Sequence, residues 1–296
     1  MKRSLCFLFS ALLLAAGSGC GTPALQPLPD DFAVFNPEVP VELTGTQTVN
    51  GESVTVRWVF TYDAQGRAVR EDHFSDGSSY ATYLLKSYDD DGNLIREETY
   101  TDDVLTSAIE YDALGRMTLQ ESYGYQYTSD GGVVPDTSKN SSLAFTYDEQ
   151  CRPVNVTETG TIDGQTISLT LPFTVDEQAR TAVAELPGND GSGKIACSFD
   201  DVGRFLSLTN INAEDEAVTA FTYEYDGDGN MIRQSITYPA LVDQTTTTTY
   251  QYDENGYLTE YQFTDTVNGI ESYTNTTTLT VSVSMPLSEA LAAQEE

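Results

Sequence analysis

The sequence predicts an all-β fold, an antiparallel meander of repeated β-hairpins that forms a long curved or partly rolled sheet. Two observations predict it. A six-residue motif recurs along the chain: an aromatic residue, Asp, two variable residues, Gly, and then usually Arg or Asn, as at residues 62–67. Between the copies, apolar and polar residues alternate with a period of two, which is typical of half-buried antiparallel strands. Internal repetition sets the architecture because each copy contributes the same structural element.

The copies are spaced for about one hairpin each. Six copies keep the Gly and begin at Tyr62, Tyr88, Tyr111, Phe199, Tyr225 and Tyr252. Two degraded copies begin at Tyr147 and Val175 and have Cys151 and Ala179 in the Gly position. The Asp residues occupy positions 63, 89, 112, 148, 176, 200, 226 and 253, and the longest interval, from 112 to 148, predicts an enlarged surface loop.

Within each repeat, Asp-x-x-Gly is the predicted turn. The Asp side chain accepts hydrogen bonds from backbone N–H groups two or three residues ahead, and Gly adopts the left-handed conformation. The clearest strand runs from residue 167 to 175, with aliphatic or aromatic residues at every odd position. Strands that follow the turns mix apolar and polar residues on both faces. We therefore expect a sheet that is apolar near the turns and wet along much of its length, rather than two tightly packed layers.

The ends of the chain have a different composition. Residues 1–19 have two cations, an apolar stretch too short to span a bilayer, and a small-residue ending, which predict a signal peptide. The residues before Cys20 resemble a bacterial lipobox, so Cys20 is the predicted lipidation site; plain secretion is the alternative. We predict a Pro-rich tether over residues 20–45, the β domain over 46–285 and a C-terminal tail, a short helix or disordered, over 286–296.

Charge restricts the partners. The chain has 46 acidic and 14 basic residues, a formal net charge of −32. This field repels nucleic acid and anionic lipid headgroups, so we expect no nucleic-acid partner and membrane contact only through the N-terminal lipid. A protein or carbohydrate partner stays open, and no cofactor is expected.

The repeats resemble a known family. Tyr-Asp-x-x-Gly-Arg-Leu, at about this repeat length, is similar to the YD repeat of Rhs-type bacterial proteins and their animal relatives. The resemblance covers roughly residues 55–265 and is strongest at residues 88–94, 111–117 and 225–231. It implies a β-structured scaffold, which large members wind into a hollow shell around a toxin domain. This chain has too few repeats for a closed shell and no recognisable self-cleavage or toxin segment, so the resemblance does not imply toxin delivery.

Calcium is the one metal that the turns suggest. Asp89 and Asp91, and likewise Asp226 and Asp228, place oxygen ligands beside a Gly. However, Tyr100 and Thr237 stand where an EF-hand has its bidentate Glu, and solvated acidic hairpin turns explain the same residues.

No catalytic residues are predicted. The single His, His73, is expected on a strand surface, without a Gly-x-Ser-x-Gly motif. A polysaccharide hydrolase would need a pocket with two close carboxyl groups, one with a raised pKa. Cys151 and Cys197 could form a disulfide only if the sheet folded back on itself.

Tyr123, Tyr125 and Tyr127, beside the enlarged loop, are the candidate ligand surface, because exposed Tyr rings stack on sugars or bind proteins. The alternative is that Tyr is simply the core residue of the repeat. The sequence thus favours a lipid-anchored, non-enzymatic scaffold or binding module of the cell envelope. Alternatives are an exported polysaccharide hydrolase or carbohydrate-binding protein, and an integral outer-membrane barrel, which Glu, Arg and Gln on the polar strand faces disfavour.

Overall fold

The structure is a computed structural model that describes residues 36–76, 81–129, 132–162, 165–185, 193–239, 243–268 and 273–294. The predicted signal peptide, Cys20 and most of the predicted tether lie outside these residues. Within them, no helix is both long enough and apolar enough to cross a membrane.

The described residues form strands almost throughout. In chain order the elements are β1 Glu38–Val49, β2 Glu52–Tyr62, β3 Ala68–Ser75, β4 Thr82–Tyr88, β5 Leu94–Thr101, β6 Val104–Tyr111, β7 Met117–Ser122, β8 Tyr125–Tyr127, β9 Val133–Pro135, a 3₁₀ turn Thr137–Lys139, β10 Ser141–Tyr147, β11 Pro153–Ile162, β12 Gln165–Pro172, β13 Thr174–Asp176, β14 Thr181–Glu185, β15 Lys194–Phe199, β16 Phe205–Ile211, β17 Ala217–Tyr225, β18 Met231–Thr237, β19 Asp243–Tyr252, β20 Leu258–Asn268, β21 Tyr273–Pro286 and α1 Leu287–Ala293.

Nineteen of the strands form one antiparallel sheet that is nearly closed and barrel-shaped, which confirms the predicted all-β meander and its rolled form. Strands that follow one another in the chain pair with each other, and β7 pairs with β10 across the small β8–β9 hairpin. The first strand, β1, pairs with β2 on one side and with the last strand, β21, on the other. The two ends of the meander are therefore joined by hydrogen bonds.

The remaining break in the wall lies at β12 and β13, which follow each other along one extended segment. β12 pairs with β11, whereas β13 pairs with β14. Between them, the Phe173 N–H donates to the Val154 carbonyl at 2.8 Å. Ile167, predicted on the buried face of this segment, is 36% exposed because the wall is open beside it.

The repeat turns have the predicted chemistry, with one difference. The Asp63 carboxylate accepts hydrogen bonds from the backbone N–H groups of Gln65 and Arg67, both at 2.9 Å. The donors are therefore two and four residues after the Asp, whereas the sequence predicted two and three. Gly66 has a φ of 78°, as predicted. Every Tyr-Asp turn follows an alternate strand of the meander, so these turns all lie at one end of the sheet.

The inner face of the sheet is packed, which corrects the expectation that two layers do not meet. Phe145 on β10 and Phe205 on β16 come from opposite sides of the wall, and their ring centroids are 4.9 Å apart. Both are buried in one large core with Leu43, Val156 and Ile195. Rolling the sheet brings these apolar inner faces together and removes them from water.

Both domain boundaries need adjustment. The tether was predicted to reach residue 45, but β1 begins at Glu38 because Val39 and Leu43 are fully buried. In the predicted tail, residues 287–293 form helix α1, which buries Leu287 and Ala290 against the core. The structure thus extends the β domain at its start and gives the tail a packed helix.

Candidate functional site

The enlarged loop is fixed at the end of the sheet opposite the Tyr-Asp turns. The Gly124 N–H donates to the Asn140 side chain at 2.9 Å, and its carbonyl accepts from the Asp136 N–H at 2.6 Å. A Cβ at Gly124 would lie 2.3 Å from the Asp136 carbonyl oxygen, so only Gly fits there. On β9, Val133 is buried. The loop is therefore a packed element, although residues 130 and 131 lie outside the described part.

Beside this loop lies an open cavity of about 480 Å³, which we name the loop groove. Its lining is mostly hydroxyl, amide and backbone groups and includes Glu121, Tyr123, Ser138, Asn140, Thr159 and Thr161. Such a lining offers many neutral hydrogen-bond donors and acceptors around one aromatic ring. It suits a polar, uncharged ligand.

Of the three predicted tyrosines, the structure places Tyr123 in the groove itself. Its hydroxyl donates to Glu121 Oε2 at 2.8 Å. Burial, reinforced by this hydrogen bond to the Glu121 carboxylate, raises the pKa of Tyr123 to about 12, which keeps the phenol neutral. Glu121 Oε2 also lies 3.7 Å from Arg96 Nη2. The ring of Tyr123 is thus held in a fixed position.

Tyr125 and Tyr127 lie on strand β8 of the same loop. They are 37% and 55% exposed. Their rings meet edge to face with centroids 5.7 Å apart. The alternative in which all these tyrosines are core residues is therefore wrong for this pair.

The predicted calcium ligands are engaged in their turns. Both carboxylate oxygens of Asp89 accept from Asn93, at 2.8 Å from its backbone N and 3.0 Å from Nδ2. Asp226 binds Asn230 in the same way. Hydrogen bonding from Asn93 lowers the pKa of Asp89. Within the described segments no group of three or more metal-binding side chains occurs, and calcium binding by these residues, with Asp91 and Asp228, stays a prediction.

His73 is half-buried on the inner face of its strand, rather than exposed on the surface as the sequence predicted. Its ring stacks on Trp58 with centroids 4.1 Å apart, and its Nε2 lies 3.7 Å from Glu71 Oε2. It turns inward because it shares a strand face with Glu71, which is buried.

A buried ion network, which the sequence did not predict, lies next to His73. Lys86 Nζ pairs with Glu71 and lies 4.0 Å from Glu97 Oε2. Burial alone would raise the pKa of Glu71, but the Lys86 charge and the hydrogen bond from Lys86 outweigh it and lower the pKa to about 2. The period-two pattern of β4 could have revealed the network. Lys86 lies between Leu84 and Tyr88, which both face inward, so the pattern places the Lys86 side chain on the inner face as well.

The two cysteines of the domain are free thiols, although the sheet does fold back on itself. Cys151 takes the Gly position of its turn with a φ of 63°. Cys197 is buried, and burial raises the pKa of its thiol to about 12.

The Arg at the end of each motif has a role that the sequence reasoning missed. Three of these arginines, Arg67, Arg116 and Arg204, bind their own Asp and cover the aromatic ring of the next repeat. The Arg–Tyr pairs, with guanidinium-to-centroid distances, are Arg67–Tyr88 at 4.8 Å, Arg116–Tyr147 at 4.5 Å and Arg204–Tyr225 at 4.4 Å. The Tyr hydroxyl then donates to the carbonyl that follows the Arg, as from Tyr88 to Ala68 at 2.9 Å. We call this arrangement the Arg–Tyr ladder.

Comparison with known proteins gives no family. No family model and no curated protein matches the chain. Among solved structures, the pore of the Tc holotoxin of Photorhabdus luminescens is 14% identical with a TM-score of 0.31; the match covers 74% of this chain and only 12% of that one. A porin-like protein of Bacteroides uniformis is 14% identical (TM-score 0.27, 83% of this chain and 98% of that one). A porin-like protein of Bacteroides vulgatus is 8% identical (TM-score 0.33, 83% and 99%). Likenesses this low do not bear on function.

Proposed function

We propose that this protein is a non-enzymatic binding module of the bacterial cell envelope, built on a YD-repeat scaffold, that binds an oligosaccharide in the loop groove. The observation that supports it most is the pairing of a hydroxyl- and amide-rich groove with exposed aromatic rings. Sugars present hydroxyl groups at their edges and apolar C–H faces, so they use both features at once. Tyr123 lines the groove, and Tyr125 and Tyr127 are exposed on β8 in the same enlarged loop.

Binding is favoured over hydrolysis by the charges in the groove. Among the described residues, Glu121 is the one carboxylate in its lining, whereas glycoside hydrolysis uses two. Burial raises the pKa of the Glu158 carboxyl, but this side chain faces the sheet interior beside Leu143 and Leu169.

An integral membrane protein is disfavoured by the outer surface of the sheet. Arg96 on β5 pairs with Glu98 at 2.9 Å and with Glu110 on β6. On β3, Arg70 pairs with Asp72 at 2.7 Å. Charges at these mid-strand positions are costly against lipid.

We propose instead that a lipid on Cys20 holds the domain at the membrane, and that Cys20→Ala moves the protein from the membrane fraction to the soluble fraction. Continued membrane association of this variant would rule the anchor out.

The binding proposal is tested with a domain that begins at Gly21. It is screened on an array of bacterial envelope oligosaccharides, and the best ligand is then titrated by calorimetry. We expect the double variant Tyr125→Ser, Tyr127→Ser to bind about tenfold more weakly, a loss of about 1.4 kcal/mol that is typical of lost ring contacts.

The control is a second tyrosine pair on the same domain. Tyr83 and Tyr100 stack with centroids 4.9 Å apart on β4 and β5, away from the loop groove. Tyr83→Ser, Tyr100→Ser should bind like the wild type. Absence of glycan binding up to millimolar concentration, or equal effects of the two double variants, would refute an oligosaccharide site here.

A further inference from the structure

The Arg–Tyr ladder is interrupted where Asn takes the place of Arg, at Asn93 and at Asn230, and a groove lies beside the second of these. Asn230 stands where Arg67, Arg116 and Arg204 stand in their repeats. Its Nδ2 donates to Asp226 Oδ2 at 3.0 Å, so it keeps the bond to its own Asp. An Asn side chain is too short to extend to the next repeat as an Arg does.

A groove lies at this position. It has a volume of about 640 Å³ between the turn at residues 226–230 and the turn at residues 253–256, and we name it the turn groove. The ring of Tyr252 and the Gly256 backbone line it. In the preceding repeat, the corresponding space holds the Arg204 guanidinium, which covers Tyr225 and donates from Nη1 to the Gly229 carbonyl at 3.1 Å. The fold thus contains an occupied version of the same site.

The turn groove is strongly acidic. Five carboxylates line it, from Glu224, Asp226, Asp228, Asp253 and Glu254, against one guanidinium, that of Arg233. Arg233 Nη1 is engaged with Glu224 at 3.4 Å. A cation that enters is therefore attracted by the remaining carboxylates and by the face of an aromatic ring.

We propose that the turn groove binds an arginine side chain of a basic partner protein, in the place that the ladder arginine fills in other repeats. A planar guanidinium stacks on a ring and donates to carboxylate and carbonyl oxygens at once. The net charge of −32 would also speed the approach of a basic segment. This site is at the opposite end of the sheet from the loop groove and does not depend on the proposed sugar binding.

The test uses the peptide acetyl-Gly-Arg-Gly-amide and its citrulline analogue, which has nearly the same shape without the charge. Each is titrated into the labelled domain and followed by amide chemical shifts. The arginine peptide should shift the resonances of residues 226–230 and 253–257, and the citrulline peptide should not.

A self-filling variant makes the test specific. Asn230→Arg supplies the missing guanidinium within the chain and should weaken peptide binding at least tenfold. Asn93→Arg is the matched control: it makes the same substitution, with the same change in charge, after the Tyr88 turn, and should bind like the wild type. Glu254→Gln, at an exposed position, should weaken binding about threefold without any change to the turn backbone.

Two results would overturn the proposal. Equal weakening by Asn93→Arg and Asn230→Arg would show general attraction to an acidic protein rather than a site. Equal shifts from the arginine and citrulline peptides would show that no cation is recognised. If Asn230→Arg fails to fold, an unchanged affinity in Glu254→Gln would refute the site.

Discussion

At the scale of single residues, the motif is explained by hydrogen bonds that each member makes. The Asp112 carboxylate accepts from the backbone N–H groups of Leu114 and Arg116, at 2.9 and 3.0 Å, and from Arg116 Nε at 2.6 Å. The Gly115 N–H closes the turn on the Asp112 carbonyl at 2.8 Å, with a φ of 72°. The Asp and Gly of the repeat are therefore accounted for by the turn that they form.

Two glycines in equivalent positions separate turn strain from packing. Gly115 has no neighbour within 4 Å of an added Cβ, whereas at Gly203 that atom would lie 2.2 Å from the Cys151 carbonyl oxygen. Gly115→Ala should cost about 1 kcal/mol for the left-handed backbone alone. Gly203→Ala should cost about 3 kcal/mol or more, because two backbones must also move apart. Urea unfolding of both variants measures the difference, and equal costs would mean that the two turns do not touch.

At the scale of elements, the sequence predicted the local structure and missed the contacts between repeats. Alternation predicts a buried face on the strands before the turns, and Phe60, Ile109 and Phe145 on those faces are buried. The Asp-x-x-Gly turns are confirmed as well. These features could be predicted because they depend on residues within one hairpin.

The Arg–Tyr ladder could have been predicted from recurrence alone. Arg occurs four residues after Asp in several copies, and the next aromatic residue belongs to the adjacent hairpin. Tyr123 was identified from its place beside the longest interval. The rest of the loop groove could not be, because Ser138, Asn140 and Thr159 come together only when the loop packs onto the sheet.

At the scale of the whole molecule, closure depends on pairing between residues that are far apart in sequence. β1 and β21 are joined in register from Leu43 opposite Val281 to Val49 opposite Asn275, and no local pattern encodes this. The strand with the clearest alternation, β12, is among the more exposed ones because it lies at the opening of the wall between β12 and β13. Strand pairing within each hairpin and a curved or partly rolled sheet were predictable, but the pairing of β1 with β21 that nearly closes the sheet was not.

The rolled sheet is the central claim, and a double-mutant cycle on Phe145 and Phe205 tests it most directly. In a flat meander their strands would be about 24 Å apart, five steps of about 4.8 Å. In the rolled sheet the ring centroids are 4.9 Å apart. Phe145→Leu, Phe205→Leu and the double variant are unfolded in urea. We predict a coupling energy of about 0.5–1.5 kcal/mol between the two rings. Additive costs, within about 0.3 kcal/mol, would mean that the two faces do not meet and that the sheet is not rolled.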